Sequence, residues 1–144
     1  MIKTTTKYNL ALSLVKRNKY LEALDRFKAM LSEDFRYLPD ILIPLYKLLR
    51  INYDNQHIRV LIAELYILAN EYDDAVFELE EAFDIDANFT QTYFLLGKIY
   101  NRVGYNAKIR EIYEQAIAHD IYDSTILDVL PKMFVEKRDI HSGI

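Results

Sequence analysis

The segment YFLLGKIYNRVGYNAKIREIYEQA, residues 93–116, decides the fold. Leu96, Gly97 and Tyr100 fall at i, i+1 and i+4, on one face of a helix. Gly97 is interior to that helix, where glycine costs about 1 kcal/mol relative to alanine. The simplest reason to find it there is a neighbouring helix passing too close for a Cβ. Gly104 then ends the helix, because a left-handed residue is needed and glycine supplies it freely. Ile109, Ile112, Tyr113, Ala116 and Ile117 follow at i, i+3, i+4, i+7 and i+8, the apolar stripe of a second helix. Ala116 is the small residue that lets the two helices approach.

The same pattern stands 34 residues earlier. Gly97 maps to Ala63, Leu96 to Ile62, Tyr100 to Tyr66 and Gly104 to Asn70. Ile109 maps to Ala75, Tyr113 to Leu79 and Ala116 to Ala82. Small stays small, large stays large, and the turn keeps a residue that tolerates positive φ. The template also fits at Ala11, Leu14, Asn18, Ala23, Phe27 and Met30. Three matches to one helix–turn–helix template predict a stacked array rather than a single-site enzyme.

These residues resemble the tetratricopeptide repeat family, whose pattern runs W-x2-L-G-x2-Y, then A-x3-F-x2-A, then P. The third unit carries Leu96-Gly97-Lys98-Ile99-Tyr100. The second has Ile62-Ala63 and Tyr66, then Ala75, Leu79 and Ala82. The first has Leu10-Ala11 and Leu14, then Ala23, Phe27 and Met30. The units span residues 4–37, 56–89 and 90–123, about 102 of the 144. There is no Trp, and Phe35, Ala87 and Ile121 stand where the family has its closing proline. The resemblance implies an all-α, right-handed α-solenoid of about eight helices, and a non-catalytic protein–protein interaction role as scaffold, adaptor or chaperone-like binder. Small stand-alone members of the family act as chaperones that hold secreted or assembling partners.

The resemblance also implies where a partner would lie. In such arrays the first helix of each unit lines a concave groove. The matching residues are Tyr8, Asn9, Leu12 and Val15 in unit one, and Val60, Leu61 and Glu64 in unit two. Unit three contributes Phe94, Leu95, Lys98, Asn101 and Arg102. Family members that clamp the C-terminal carboxylates of chaperones carry Lys, Asn and Arg on this face. Tyr8, Leu12, Leu61, Gln91 and Leu95 stand at most of those places, which argues against a carboxylate clamp. What remains is a mainly apolar groove with a polar edge, suited to an amphipathic helix or an extended apolar peptide. The alternative is that these residues are covered by the extra helix or by a C-terminal cap.

Composition bounds the rest. One domain is expected from 144 residues, and an apolar fraction of 51% is enough for a core. Three Gly and three Pro leave little room for hairpins, and Leu, Ile, Ala, Glu and Lys favour helix. Twelve Tyr and seven Phe serve as rigid fillers between helical layers. With no Cys there is no disulfide framework and no thiolate nucleophile, which fits a reducing, cytoplasmic setting. A mean hydropathy of −0.10 fits a soluble chain, and no apolar run reaches the length of a membrane span. The N-terminal segment lacks the apolar run and cleavage site of a signal peptide. A net charge of −4 gives no support to nucleic-acid binding.

Along the chain, residues 1–5 are polar and expected to fray. Helices are predicted over about 7–16 and 20–32, 56–69 and 72–83, and 90–102 and 105–119. The rhythm breaks at residues 35–55. One extra helix, about 39–51, is inserted there, with Pro39 suited to a first turn and Pro44 set to kink it or delay its start. A capping helix is predicted over about 124–137, followed by a polar tail.

Catalytic constellations are missing. His57, His119 and His141 share no metal-ligand spacing, no glycine loop cradles phosphate, and no serine has a nucleophile-elbow context. The chain is therefore read as a non-enzyme needing no cofactor or metal, with another protein as its partner. From Val60 to Gly97 there are nine carboxylates and no Lys or Arg, whereas the first nineteen residues hold Lys3, Lys7, Lys16, Arg17 and Lys19 and no acid. That asymmetry allows a basic partner on the middle unit, an ordinary solvated face with first-turn acids, or self-association into a homo-oligomer through opposite patches.

Overall fold

The computed structural model describes the backbone of residues 2–121 and the side chains of residues 6–121. The expected capping helix and tail lie outside the described residues. Within them the chain is all helical, with seven α-helices, one 3₁₀ turn and no strand. The helices are α1 (Ile2–Lys16), α2 (Tyr20–Glu33), α3 (Leu38–Ile51), α4 (Gln56–Leu68), α5 (Tyr72–Ile85), α6 (Thr90–Val103) and α7 (Asn106–Ala118), with the 3₁₀ turn at Phe35–Tyr37. The chain divides into two compact units, Met1–Glu78 and Leu79–Ile144, and the division falls inside α5.

Two boundaries differ from the expected ones. The α1 backbone is helical from Ile2, because the polar N-terminal residues include no Gly or Pro to stop it. The inserted helix α3 starts at Leu38 with Pro39 in its first turn, and it runs through Pro44 rather than starting after it. Pro44 brings no N–H to the carbonyl of Asp40, four residues back.

The turns inside the three hairpins α1–α2, α4–α5 and α6–α7, and the end of α7, share one device. Asn18, Asn70, Gly104 and Asp120 all have positive φ, at 62°, 60°, 84° and 56°. In each case the next residue's N–H reaches back across the helix end: Lys19 to Leu14, Glu71 to Tyr66, Tyr105 to Tyr100 and Ile121 to Ala116, at 2.8–2.9 Å. This is the Schellman closure, which satisfies carbonyls that a helix end leaves open. Two of the turns carry a further lock. The Tyr20 hydroxyl donates to Asn18 Oδ1 at 2.8 Å, and the Tyr72 hydroxyl to Asn70 Oδ1 at 3.1 Å. A Cβ at Gly104 would meet nothing within 4 Å, so only backbone conformation resists substitution there. Gly104→Ala is expected to lower stability by about 1 kcal/mol, and Gly104→Asn by less, measured by urea unfolding.

In the first unit, α2 packs against α1 and α4, and α3 packs against α4 and the 3₁₀ turn. The core gathers Ala11 and Val15 of α1 and Ala23, Phe27 and Met30 of α2. It continues through Ile41, Leu45 and Leu49 of α3 and Ile58, Leu61, Ile62 and Leu65 of α4. The small positions of the template, Ala11, Ala23, Ala63 and Ala75, are all fully buried. A larger side chain there would push the helices apart, which is the physical reason for the repeat.

In the second unit α6 packs against α7. Gly97, Ala82 and Ala116 are buried, as the template requires. Tyr93 is fully buried, its ring edge-on to Phe83 at 5.3 Å and its hydroxyl donating to the Ala87 carbonyl. Phe83 also meets His119 edge-on at 6.0 Å.

Candidate functional site

The twelve residues expected to line a groove sit on α1, α4 and α6, the first helix of each pair, but they do not share one environment, and Val15 of α1 is buried at 1% exposure. On α1, Tyr8 and Leu12 are half-buried and Asn9 is exposed. On α4, Val60 and Leu61 are buried, at 7% and 3% exposure, and Glu64 is half-buried. Leu61 belongs to the same core as Ile41, Leu45 and Leu49, so the inserted helix covers it. On α6, Leu95 is buried, Phe94 and Asn101 are half-buried, and Lys98 and Arg102 are exposed. Val60, Leu61 and Leu95 therefore present little surface to a partner.

Among the openings of the first unit is a cleft of about 510 Å³. Tyr8 and Asn9 of α1 form one wall. Asp40, Ile43, Pro44 and Lys47 of α3 form the other, and Met30 and Tyr37 also line it. The α3 residues fall at i, i+3, i+4 and i+7, so they make one continuous helix face. This face is distinct from the core stripe Ile41, Leu45, Leu48 and Leu49. Ile43 is 54% exposed, a large apolar side chain left on the outer side. The cleft falls within the size range of ligand and side-chain pockets and combines aromatic rings with a few polar groups. Sequence reading found Tyr8 and Asn9 and missed the α3 wall. The signal was present: Ile43 is apolar but lies off the stripe that Ile41, Leu45, Leu48 and Leu49 define.

Electrostatics ties the walls together. The Tyr8 hydroxyl is held above its ordinary pKa of 10.0 by burial and, to a lesser extent, by the negative charge of Asp40. Lys7 and Arg36, next in sequence to Tyr8 and Tyr37, are engaged elsewhere, with Glu33 at 2.6 Å and with Asp34 at 2.8 Å. Among the described residues, neither Asp40 nor Lys47 enters an ion pair.

A second polar feature of this unit is internal. Arg59 of α4 and Glu78 of α5 form an ion pair at 3.1 Å, with side chains 4% and 5% exposed. Arg59 Nη2 also donates to the Tyr53 carbonyl at 3.0 Å, and its guanidinium lies 4.9 Å from the Tyr53 ring centre. The Tyr46 hydroxyl of α3 reaches the other Glu78 oxygen at 2.9 Å and lies 3.0 Å from the Tyr66 hydroxyl. One hydroxyl proton cannot serve both neighbours. The carboxylate is the stronger acceptor, so Tyr46 donates to Glu78 and accepts from Tyr66. The network fastens α3, α4 and α5 to one another. It also resolves one of the nine carboxylates of the acidic run: Glu78 is an internal counter-ion, not part of a solvated face.

Burial is the leading cause that raises the hydroxyl pKa values of Tyr46 and Tyr66, with the Glu78 carboxylate adding to both. Burial likewise raises Tyr93 and Tyr100. A raised folded-state pKa keeps the proton on in the native chain after the unfolded chain has lost it. The associated stability is intact below the ordinary tyrosine value of 10.0 and is lost as pH rises above it. Unfolding free energy is expected to stay level through neutral pH and to fall steadily above about pH 10. The share of tyrosinate absorbance that comes from Tyr46, Tyr66, Tyr93 and Tyr100 should appear together with the loss of helical circular dichroism rather than before it.

Helical hairpins with a small residue at each close approach and a left-handed residue at the recurring turns define an α-helical repeat protein. The family profile for the tetratricopeptide repeat matches residues 57–89 and 90–118, which are α4 with α5 and α6 with α7. These two segments are tetratricopeptide repeats. The α1–α2 hairpin and the inserted helix lie outside the matched residues. No curated protein matches the chain. Repeats of this family generally mediate protein–protein interaction and are typically non-catalytic. Among the described residues, no helix is long and apolar enough to cross a membrane.

Proposed function

We propose that the chain is a non-catalytic protein-binding module, an adaptor or chaperone-like holder, and that its partner docks in the cleft between α1 and α3. The observation that carries this reading is the cleft itself. It sets an exposed isoleucine and two tyrosines on a rigid helical frame, with a carboxylate and an ammonium group at its rim. One wall of the cleft comes from the inserted helix, which lies outside the matched repeats. A cytoplasmic setting is consistent with the lack of cysteine.

The test compares capture of partners from source-cell extract by the wild type and by two single variants. Ile43→Asp is expected to lose capture, because it sets a carboxylate in the middle of the apolar wall. Phe77→Asp, on the exposed face of α5, is expected to leave capture intact. Both variants should keep the wild-type circular dichroism. The opposite pattern would overturn the reading. Light scattering should report a monomer; a dimer that Ile43→Asp dissociates would assign the cleft to a second copy instead.

A further inference from the structure

We infer that the α1–α3 cleft selects a partner helix carrying one basic, one apolar and one acidic side chain in a row, the basic one seated at Asp40 and the acidic one at Lys47. The inference rests on the reading of the cleft as the docking site and adds the chemistry of what docks.

Asp40 and Lys47 lie seven residues apart on one face of α3, about 10 Å along its axis. Ile43 and Pro44 lie between them and carry no charge, so the two ends of the face have opposite sign with an apolar floor in the middle. The Asp40 end is rich in acceptors. Its carboxylate lines the cleft together with Tyr8, and Pro44 deprives the Asp40 backbone carbonyl of the N–H that a helix normally supplies. Tyr8 and Tyr37 add ring faces, which favour a lysine or arginine head group as well. The neighbouring cations that could have neutralised this end, Lys7 and Arg36, are committed to Glu33 and Asp34. At the other end Lys47 is exposed, and among the described residues it enters no ion pair. A partner helix with side chains at i, i+4 and i+7 reproduces the spacing of the α3 face and can satisfy both ends at once. A partner with two like charges can satisfy only one.

The probes are four synthetic 16-residue alanine–glutamine helices that differ only at three positions: Arg-Leu-Glu, Arg-Leu-Arg, Glu-Leu-Glu and Gln-Leu-Gln, spaced i, i+4, i+7. Binding to the full chain is followed by fluorescence anisotropy and by NMR shifts of Tyr8 and Ile43. The wild type is expected to prefer Arg-Leu-Glu over both like-charged peptides by about fivefold at low salt, and by less at high salt. Asp40→Lys should move the preference to Glu-Leu-Glu, and Lys47→Glu should move it to Arg-Leu-Arg. Both variants change exposed residues and leave the core untouched. Equal binding of the four peptides, or a preference that neither variant moves, would overturn the inference while leaving the cleft as a docking site. Failure of every peptide to shift Tyr8 or Ile43 would overturn the docking site and the inference with it.

Discussion

Glu78→Leu is expected to lower the unfolding free energy by about 3–5 kcal/mol, a large share of the 5–15 kcal/mol typical of a folded domain. The loss comes from what is left behind. Arg59, its side chain 4% exposed, would keep a charge inside the first unit with its counter-ion gone, and Tyr46 would lose the acceptor of its proton. Arg59→Leu should cost about as much for the mirror reason. The double variant Arg59→Leu/Glu78→Leu should come close to wild type, because an ion pair in a dry interior barely repays the loss of its hydration. The repeat supplies its own control. Thirty-four residues on, the same two template positions are Tyr93 and Ile112, both buried and neither charged. Urea unfolding of the three variants forms a double-mutant cycle. A single-variant cost below about 1 kcal/mol would mean that water or rearrangement relieves the orphaned charge.

Leu61→Asp is expected to act on folding rather than on binding. The repeat pattern places Leu61 with Phe94 on the expected groove, where an acidic substitution at both would be expected to block a partner and leave the helices intact. Leu61 is 3% exposed and packs in a core with Ile41, Leu45 and Leu49. A carboxylate there has no partner, so it must either stay protonated or expel the helix that covers it. The expected cost is about 4 kcal/mol or more, read as loss of helical circular dichroism at 25 °C. Ile43→Asp, on the open face of α3, should cost less than about 0.5 kcal/mol. The contrast separates a folding residue from a binding residue of the same chemical type.

Much of the fold could be read from the sequence because the residues concerned answer to one local demand each. Asn18, Asn70 and Gly104 stand where the chain must turn left-handed, and all three do so. Ala63, Ala82, Gly97 and Ala116 stand where helices meet, and all four are buried. The extra helix announced itself as a break in spacing, and Pro39 marked its start within one residue. The left-handed turn at Asp120 went unread because no third repeat boundary followed it in the template. The site was less legible. Its α1 wall, Tyr8 and Asn9, followed from the family's geometry, but its α3 wall belongs to the insertion, for which the repeat offers no pattern. The acidic run misled in one place for a similar reason. Glu78 reads as one more surface acid until Arg59, on the apolar stripe of the preceding helix, is brought against it by the fold. A charge on an apolar stripe is the signal to look for, and both partners of this pair carry it.

The most direct test replaces Ile43 by a photo-crosslinking phenylalanine analogue, irradiates the protein in source-cell extract, and repeats this with the analogue at position 77. A discrete adduct is expected from position 43, suppressed by Asp40→Lys, and none from position 77. Adducts from position 77 alone, or an adduct at 43 that is indifferent to Asp40, would contradict docking in the α1–α3 cleft.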